Sequence, residues 1–291
     1  MKEKRRIDFG AYAFLLPALI IYLSVIVAPT IYSFALSFYK WKGVGKKTFV
    51  GLRNYVTLFT KDKVFMIALK NNFIWIILTL VFIMTIALLL AILLNQSFKG
   101  RTFFRGLFYF PNVLSLIVVA LVWNWIYDPS TGFINGFLKL VGLGNLQGSW
   151  TADPKISLYC IFAAACWQGV GQPMILFLAG LQTVPVDVLE AAKIDGASKI
   201  RTFFVITIPL MKETFIVVIA TLIISAMKVY DIIAGMTGGG PSDSTQTLAT
   251  YMYSQTFMYN NVGLGTTVAC VMFLMMLVII VPYIVFTAKE D

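Results

Sequence analysis

The sequence predicts an all-α polytopic membrane protein, with six transmembrane helices in a single domain over residues 1–291. Two observations carry the prediction. Hydrophobic residues make up 59% of the chain and charged ones 12%, where a soluble domain has roughly 25% charged residues. The charges are also unevenly placed, leaving uncharged runs at 9–39, 71–98, 106–127, 156–186, 214–227 and 244–288. A bilayer core about 30 Å thick takes about 20 mostly apolar residues as helix. Every run but 214–227 reaches that length.

The first helix is expected at 12–38. It follows Met1-Lys2-Glu3-Lys4-Arg5-Arg6 as a secretory signal core would, but such cores run about 7 to 15 residues. This run is far longer and reads as a retained helix. The second, third and fourth helices are expected at 73–94, 107–127 and 156–181. The fifth enters after Lys212-Glu213 and must continue to about residue 233 to reach spanning length, which places Lys228 and Asp231 in its outer part. The sixth, at 266–287, takes the end of the last run, leaving 244–265 for an outer loop.

Charge orients this arrangement weakly. With the N-terminus inside, Lys2, Lys4, Arg5, Arg6, Lys99, Arg101, Arg105, Lys193, Lys199, Arg201, Lys212 and Lys289 are cytoplasmic, 12 against 11 outside. Eight of the 11 fall in one outer loop: Lys40, Lys42, Lys46, Lys47, Arg53, Lys61, Lys63 and Lys70. Without that loop the tally is 12 against 3, in line with the positive-inside rule. The net charge of +10 is spread along loops and helix ends, where anionic lipid headgroups account for it. A nucleic-acid channel needs a contiguous basic face interleaved with stacking aromatics, and no nucleic-acid partner is expected.

Catalytic chemistry has few candidates. The chain has no His, which excludes imidazole acid–base chemistry and His-ligated metal. Cys160, Cys166 and Cys270 fall in predicted spans without a C-x-x-C pair and read as small buried residues. Gly43-Val44-Gly45-Lys46-Lys47-Thr48 lacks the leading glycine of a phosphate-binding loop, and no strand leads into it. No enzymatic activity, metal or bound cofactor is expected of this chain.

The segment 185–210 reads as an interaction surface. Pro185 suits the first turn of a helix, Asp187 and Glu190 put negative charge near its N-terminal end, and Gly196 can take the left-handed conformation that stops it. A second short segment follows. Ala191, Ala192 and Ala197 offer a thin face that a partner's cleft can approach, rimmed by the charges of Glu190, Lys193, Asp195 and Lys199. An ordinary solvated loop of helical propensity is the alternative.

Glu190-Ala191-Ala192-Lys193-Ile194-Asp195-Gly196-Ala197, followed by Phe203 to Leu210 with Pro209, resembles the EAA coupling loop of ABC importer permeases in its sugar-transporter variant. Gly51-Leu52-Arg53-Asn54-Tyr55 resembles the G-x-x-N-Y after the first helix of the maltose-type subfamily. Leu94-Asn95, Gly100-Arg101 and Arg105 resemble the loop into the third helix, whose start Pro111 marks. Gly238-Gly239-Gly240-Pro241 with Thr245, Thr247-Leu248 and Tyr251 resembles the outer loop before the last helix. The chain differs from the maltose subunit in having no extra N-terminal helices and no large extracellular insert, like the minimal six-helix members.

The resemblance implies the type I importer permease fold in a bacterial or archaeal inner membrane, with both termini cytoplasmic. It also implies the partners: a second homologous permease, two ATPase subunits carrying ATP and magnesium, and an extracytoplasmic sugar-binding protein. Glu190, Ala191, Ala192, Asp195, Gly196 and Ala197 would couple to the ATPase. Gly169, Gly171, Ala179 and Gly180 permit close helix approach.

Polar residues within the spans are the internal pointer to the substrate. Gln168 and Gln172 lie one turn apart in Trp167-Gln168-Gly169-Val170-Gly171-Gln172-Pro173. Amides satisfy sugar hydroxyls, Trp167 can stack on a sugar's apolar face, and Gly169 lets a ligand reach the backbone. The resemblance places ligand contacts of the maltose-type subunit in this segment. Helix–helix hydrogen bonding by the two glutamines is the alternative. Ser225, Lys228, Tyr230 and Asp231 form a second polar group, with Lys228 and Asp231 spaced to pair. They face the pathway or form an interfacial pair at the headgroups. With Lys228 the one deep cation, an uncharged sugar is preferred over a phosphate. A six-helix secondary carrier or channel is the rival function, but it leaves the Glu190 loop unexplained and lacks a coupling-ion site.

Overall fold

A computed structural model describes residues 9–288. The basic residues Lys2, Lys4, Arg5, Arg6 and Lys289 counted above lie outside the described residues. The chain is helical apart from loops and a two-residue hairpin, Tyr39–Lys40 against Thr48–Phe49. Three helices are long and apolar enough to cross a membrane unbroken: Phe14–Leu36, Lys63–Asn95 and Val262–Val285. Three bent pairs supply the rest: Arg101–Val113 with Leu116–Ile126, Ser157–Gly169 with Gly171–Thr183, and Lys199–Leu210 with Lys212–Met227. Counting each pair as one crossing gives six. Many large apolar side chains along these helices face outward, Leu15, Ile20, Ile77, Leu121 and Val278 among them, as lipid requires.

Two compact units make up the chain. The first comprises the chain up to Lys61 and Met252–Val271. Its organising residue is Asn54, whose amide donates to the carbonyls of Ser37 (2.8 Å) and Tyr39 (3.0 Å). These carbonyls follow the first span, where helix ends leave acceptors unpaired. The Tyr55 hydroxyl reaches Ser37 Oγ at 2.8 Å, so the Asn-Tyr pair of the 51–55 motif closes the first helix. Gly263 lies so near the hairpin that a Cβ would fall 2.1 Å from the Tyr39 carbonyl oxygen.

The second unit, Asp62–Tyr251 with the chain from Met272, holds the main core. Trp75 packs edge-on against Phe162, and Phe177 against Phe215 at 4.9 Å between ring centroids. Ile161, Met174 and Ile233 are fully buried around them. Between helices in lipid, such packing acts through van der Waals fit more than through transfer from water.

Several expected boundaries change. The sixth helix starts at Val262, not 266, and Leu248–Tyr253 and Ser254–Met258 are helical within the stretch expected as outer loop. The second helix starts at Lys63, not 73, because Asp62 caps it by accepting from the Phe65 amide at 2.9 Å. The third span is not one helix over 107–127. It bends by 97° between Val113 and Leu116, and Pro111 lies in the last turn of the first piece instead of at the start of the span. Proline's missing N–H and its ring weaken the helix there, and Leu114 and Ser115 turn extended. The fourth span bends by 45° at Val170, where Pro173 cannot donate to the turn before it. The fifth helix ends at Met227, short of 233, and a separate helix runs Asp231–Met236.

Candidate substrate pathway and coupling loop

The break after Met227 is built by side chains of the second span. Asn72 donates to the carbonyls of Ala226 (3.2 Å) and Met227 (3.4 Å), and its own carbonyl accepts from the Leu248 amide at 2.7 Å. Neighbouring Asn71 donates to the carbonyls of Ser244 and Gln246, both at 2.8 Å. Thr247 Oγ1 then donates to the Val229 carbonyl at 3.0 Å. The glycine-rich loop can reach this network because Gly238 and Gly239 have φ of 62° and 96°. A Cβ on Gly239 would also fall 2.4 Å from the Gln246 amide. The non-helical backbone of this break is thereby paired within the protein, as backbone must be wherever water is absent.

Beside this break lies a cavity of about 520 Å³, within the range of roughly 300–1,000 Å³ common for small-molecule sites. Trp75, Thr79 and Ile83 line it from the second span, and Asn112 and Leu116 from either side of the third-span bend. Gln168, Gly169 and Gln172 enter from the fourth span, and Ser225, Lys228, Tyr230 and Asp231 from the fifth and its break. Seven of the eight expected pathway residues therefore share one cavity. Trp167 does not: it is 43% exposed and sits edge-on to Trp123 at 6.1 Å. Its place on the helix turns it away, and the tryptophan in the wall is Trp75.

The two glutamines differ. Gln168 Nε2 donates to the carbonyls of Asn112 (3.4 Å) and Leu114 (3.5 Å), and Asn112 donates back to the Gln168 carbonyl at 3.4 Å. It thus lines the cavity and also ties the third-span bend to the fourth span, with contacts long enough to be weak. Gln172 makes no such bond and is exposed in the cavity wall. Lys228 and Asp231 are both exposed and no ion pair joins them, because the helix that would have paired them stops between them. Of the small residues, Gly171 and Gly180 lie at close contacts. A Cβ would fall 3.0 Å from Tyr109 Cα at Gly171 and 2.3 Å from Thr214 Oγ1 at Gly180. Gly169 has ordinary clearance, and Ala179 is exposed.

The second site is the loop around Glu190. A helix runs Val186–Ile194, with Pro185 capping it instead of lying in its first turn. It ends in a double closure, Ala197 N–H to Ala192 O at 3.0 Å and Gly196 N–H to Lys193 O at 3.2 Å, with Gly196 at φ 75°. This is the Schellman arrangement. Ser198 Oγ then accepts from the Arg201 amide, starting the segment Lys199–Leu210. Glu190, Ala191, Asp195 and Gly196 are exposed and Ala197 is half-buried. Ala192 is 6% exposed, so it faces this chain and not the outer surface expected of it. Its inward methyl seats the helix, and the outer face is apolar at Ile194, Ile200 and Phe204.

Asn71, Asn72, Trp75 and Thr79 were not singled out in the sequence. The available signal was two adjacent asparagines at the head of an apolar run, where lipid exposure would be costly.

Comparison with known proteins places these features in a family. Residues 83–288 match the model of the binding-protein-dependent transport system inner membrane component. The chain is 36% identical over 279 residues to a probable ABC transporter permease protein of Pyrococcus horikoshii, covering 96% of this chain and 95% of that one. It is 32% identical to the multiple sugar-binding transport system permease protein MsmF of Streptococcus mutans, covering 97% of each. It is 31% identical to the trehalose/maltose transport system permease protein MalF of Thermococcus litoralis, over 94% of this chain and 92% of that one. A chain of a bacterial ABC transporter involved in import of the polysaccharide alginate shares the fold, with a TM-score of 0.84 at 24% identity over 97% and 96% of the two chains. The chain belongs to the family of binding-protein-dependent transport system inner membrane components.

Proposed function

We propose that this chain forms half of the translocation pathway of an ATP-driven importer for an uncharged sugar, in a bacterial or archaeal cell membrane. The observation that carries the reading is the cavity at the fifth-span break, where Gln172, Ser225, Lys228 and Asp231 meet without pairing among themselves. Sugars present hydroxyls that both donate and accept, and an amide, a hydroxyl and two charges answer both needs. Relatives named for sugar uptake support the substrate class. Both termini are cytoplasmic in this reading, and the Glu190 loop docks on a partner ATPase that binds ATP and magnesium. A second permease completes the pathway, and a binding protein delivers sugar from outside. A solved alginate transporter in complex with a periplasmic protein that holds an alginate pentasaccharide supports that last partner.

The test is reconstitution. The chain co-expressed with its neighbouring permease, ATPase and binding protein should purify as one complex and take up maltose, trehalose or xylose into ATP-loaded vesicles. Sugar uptake by this chain alone, without ATP, would point to a carrier instead.

A further inference from the structure

The second span presents Trp75, Thr79 and Ile83 to the cavity from successive turns. Two independent features single out Thr79. Its side chain is 3% exposed, and its hydroxyl is buried without a hydrogen-bond partner. A helical threonine ordinarily satisfies its hydroxyl on a carbonyl one turn back, as Thr30, Thr221, Thr256 and Thr266 do here on Ile26, Val217, Met252 and Val262. Thr79 does not. It also opens a widened turn over Thr79–Ile83, closed by the Met84 amide bonding to the Thr79 carbonyl five residues back. Such π turns interrupt the regular ladder and occur frequently at functional sites.

An unpaired hydroxyl in an otherwise satisfied span is unfavourable unless something else pairs with it. The cavity that Thr79 lines is where that partner can come from. We infer that the Thr79 hydroxyl is a specificity-determining contact for one hydroxyl of the transported sugar, held at the cavity wall by the π turn that it opens. The inference rests on reading the cavity as the sugar pathway. A site built to hydrogen-bond a substrate hydroxyl rejects the analogue lacking it, because the protein group is then left unpaired. Thr79 would therefore discriminate between sugars that carry that hydroxyl and sugars that do not.

The test uses the assembled transporter with its partner subunits and binding protein in vesicles, supplied with radiolabelled maltose, trehalose and xylose. Monodeoxy analogues of whichever sugar is carried complete the panel. Thr79→Val removes the hydroxyl and keeps the branched shape, while Thr79→Ser keeps the hydroxyl. The valine variant should transport about tenfold more slowly and the serine variant near the wild-type rate. One deoxy analogue should be carried equally by wild type and the valine variant, identifying the hydroxyl contacted. An assembled valine variant that carries every sugar as wild type does, or a serine variant as slow as the valine one, overturns the inference. If the intact complex carries none of these sugars, the sugar reading fails on its own, and accessibility decides the place of Thr79. Thr79→Cys, in a chain with Cys160, Cys166 and Cys270 changed to Ala, should then react with a small water-soluble methanethiosulfonate. Reaction keeps Thr79 as a contact for another polar solute, and no reaction in the folded protein removes it from the pathway.

Discussion

Asn72 does with one side chain what a helix end in water leaves to solvent. It takes the two terminal carbonyls of the fifth span and gives its own carbonyl to the Leu248 amide. Asn72→Leu takes the donor from the Met227 carbonyl and the acceptor from the Leu248 amide, while the Ala226 carbonyl keeps the Val229 amide at 3.4 Å, at about 1–3 kcal/mol for each buried group left unpaired. The variant should lose thermal stability in detergent, and an unchanged unfolding temperature would show that water already enters the break. Residues of the cavity wall should behave differently. Gln172→Leu and Asp231→Ala remove groups that bind no helix, so assembly and basal ATPase activity should persist while sugar uptake falls about tenfold or more. Gln168 bonds across the third-span bend, and Gln168→Leu should add a loss of assembled complex to the loss of uptake. Equal stability of the Gln168 and Gln172 variants would contradict that division.

At the scale of elements, the helix that carries Glu190 has a defined stop, and in the proposed function it is the lever to the ATPase. The two closing bonds need both the positive φ of Gly196 and its N–H, which donates to the Lys193 carbonyl, and proline supplies neither. Gly196→Pro should abolish sugar-stimulated ATP hydrolysis and uptake while the chain remains in the membrane, and Glu190→Lys should do the same by reversing charge at the exposed rim. Normal stimulation in a well-expressed Gly196→Pro complex would falsify the lever. Between the fourth and fifth spans, Gly180 meets Thr214 with no room for a Cβ. Gly180→Val forces the helices apart at a cost of about 1–3 kcal/mol. Its expected signature is loss of stability without any change in which sugar is preferred.

At the scale of the molecule, the proposed orientation puts eight basic residues of 40–70 on the outer side, against the usual bias. A membrane-impermeant thiol reagent tests it on intact cells, in a chain whose three cysteines are changed to Ala. Lys42→Cys should react from outside, and Lys193→Cys only after the membrane is opened. The reverse pattern would place the Glu190 loop out of reach of any cytoplasmic ATPase. Lys47 bears on how that outer loop is held, since its ammonium lies 4.6 Å from the Trp41 ring centroid and 4.9 Å from that of Tyr32, within cation–π range.

Composition and local chemistry determined how many times this chain can cross a bilayer, where the Glu190 helix stops, and which polar residues belong together. Those properties depend on runs of apolar residues and on the conformational freedom of Gly196, both of which are local. Seven of the eight residues expected in the pathway line one cavity, and they were legible as a group because uncharged runs make each amide and charge conspicuous. What tertiary structure alone decided is where helices break. Whether the fifth helix ends at Met227 or continues past Asp231 depends on Asn72, 154 residues away from Ala226 in the chain. Whether Gln168 serves a helix or a ligand depends on the carbonyls freed at the third-span bend. In lipid a backbone carbonyl must find a donor inside the protein, so the position of each break, and with it the shape of the cavity, is set by partners distant in sequence.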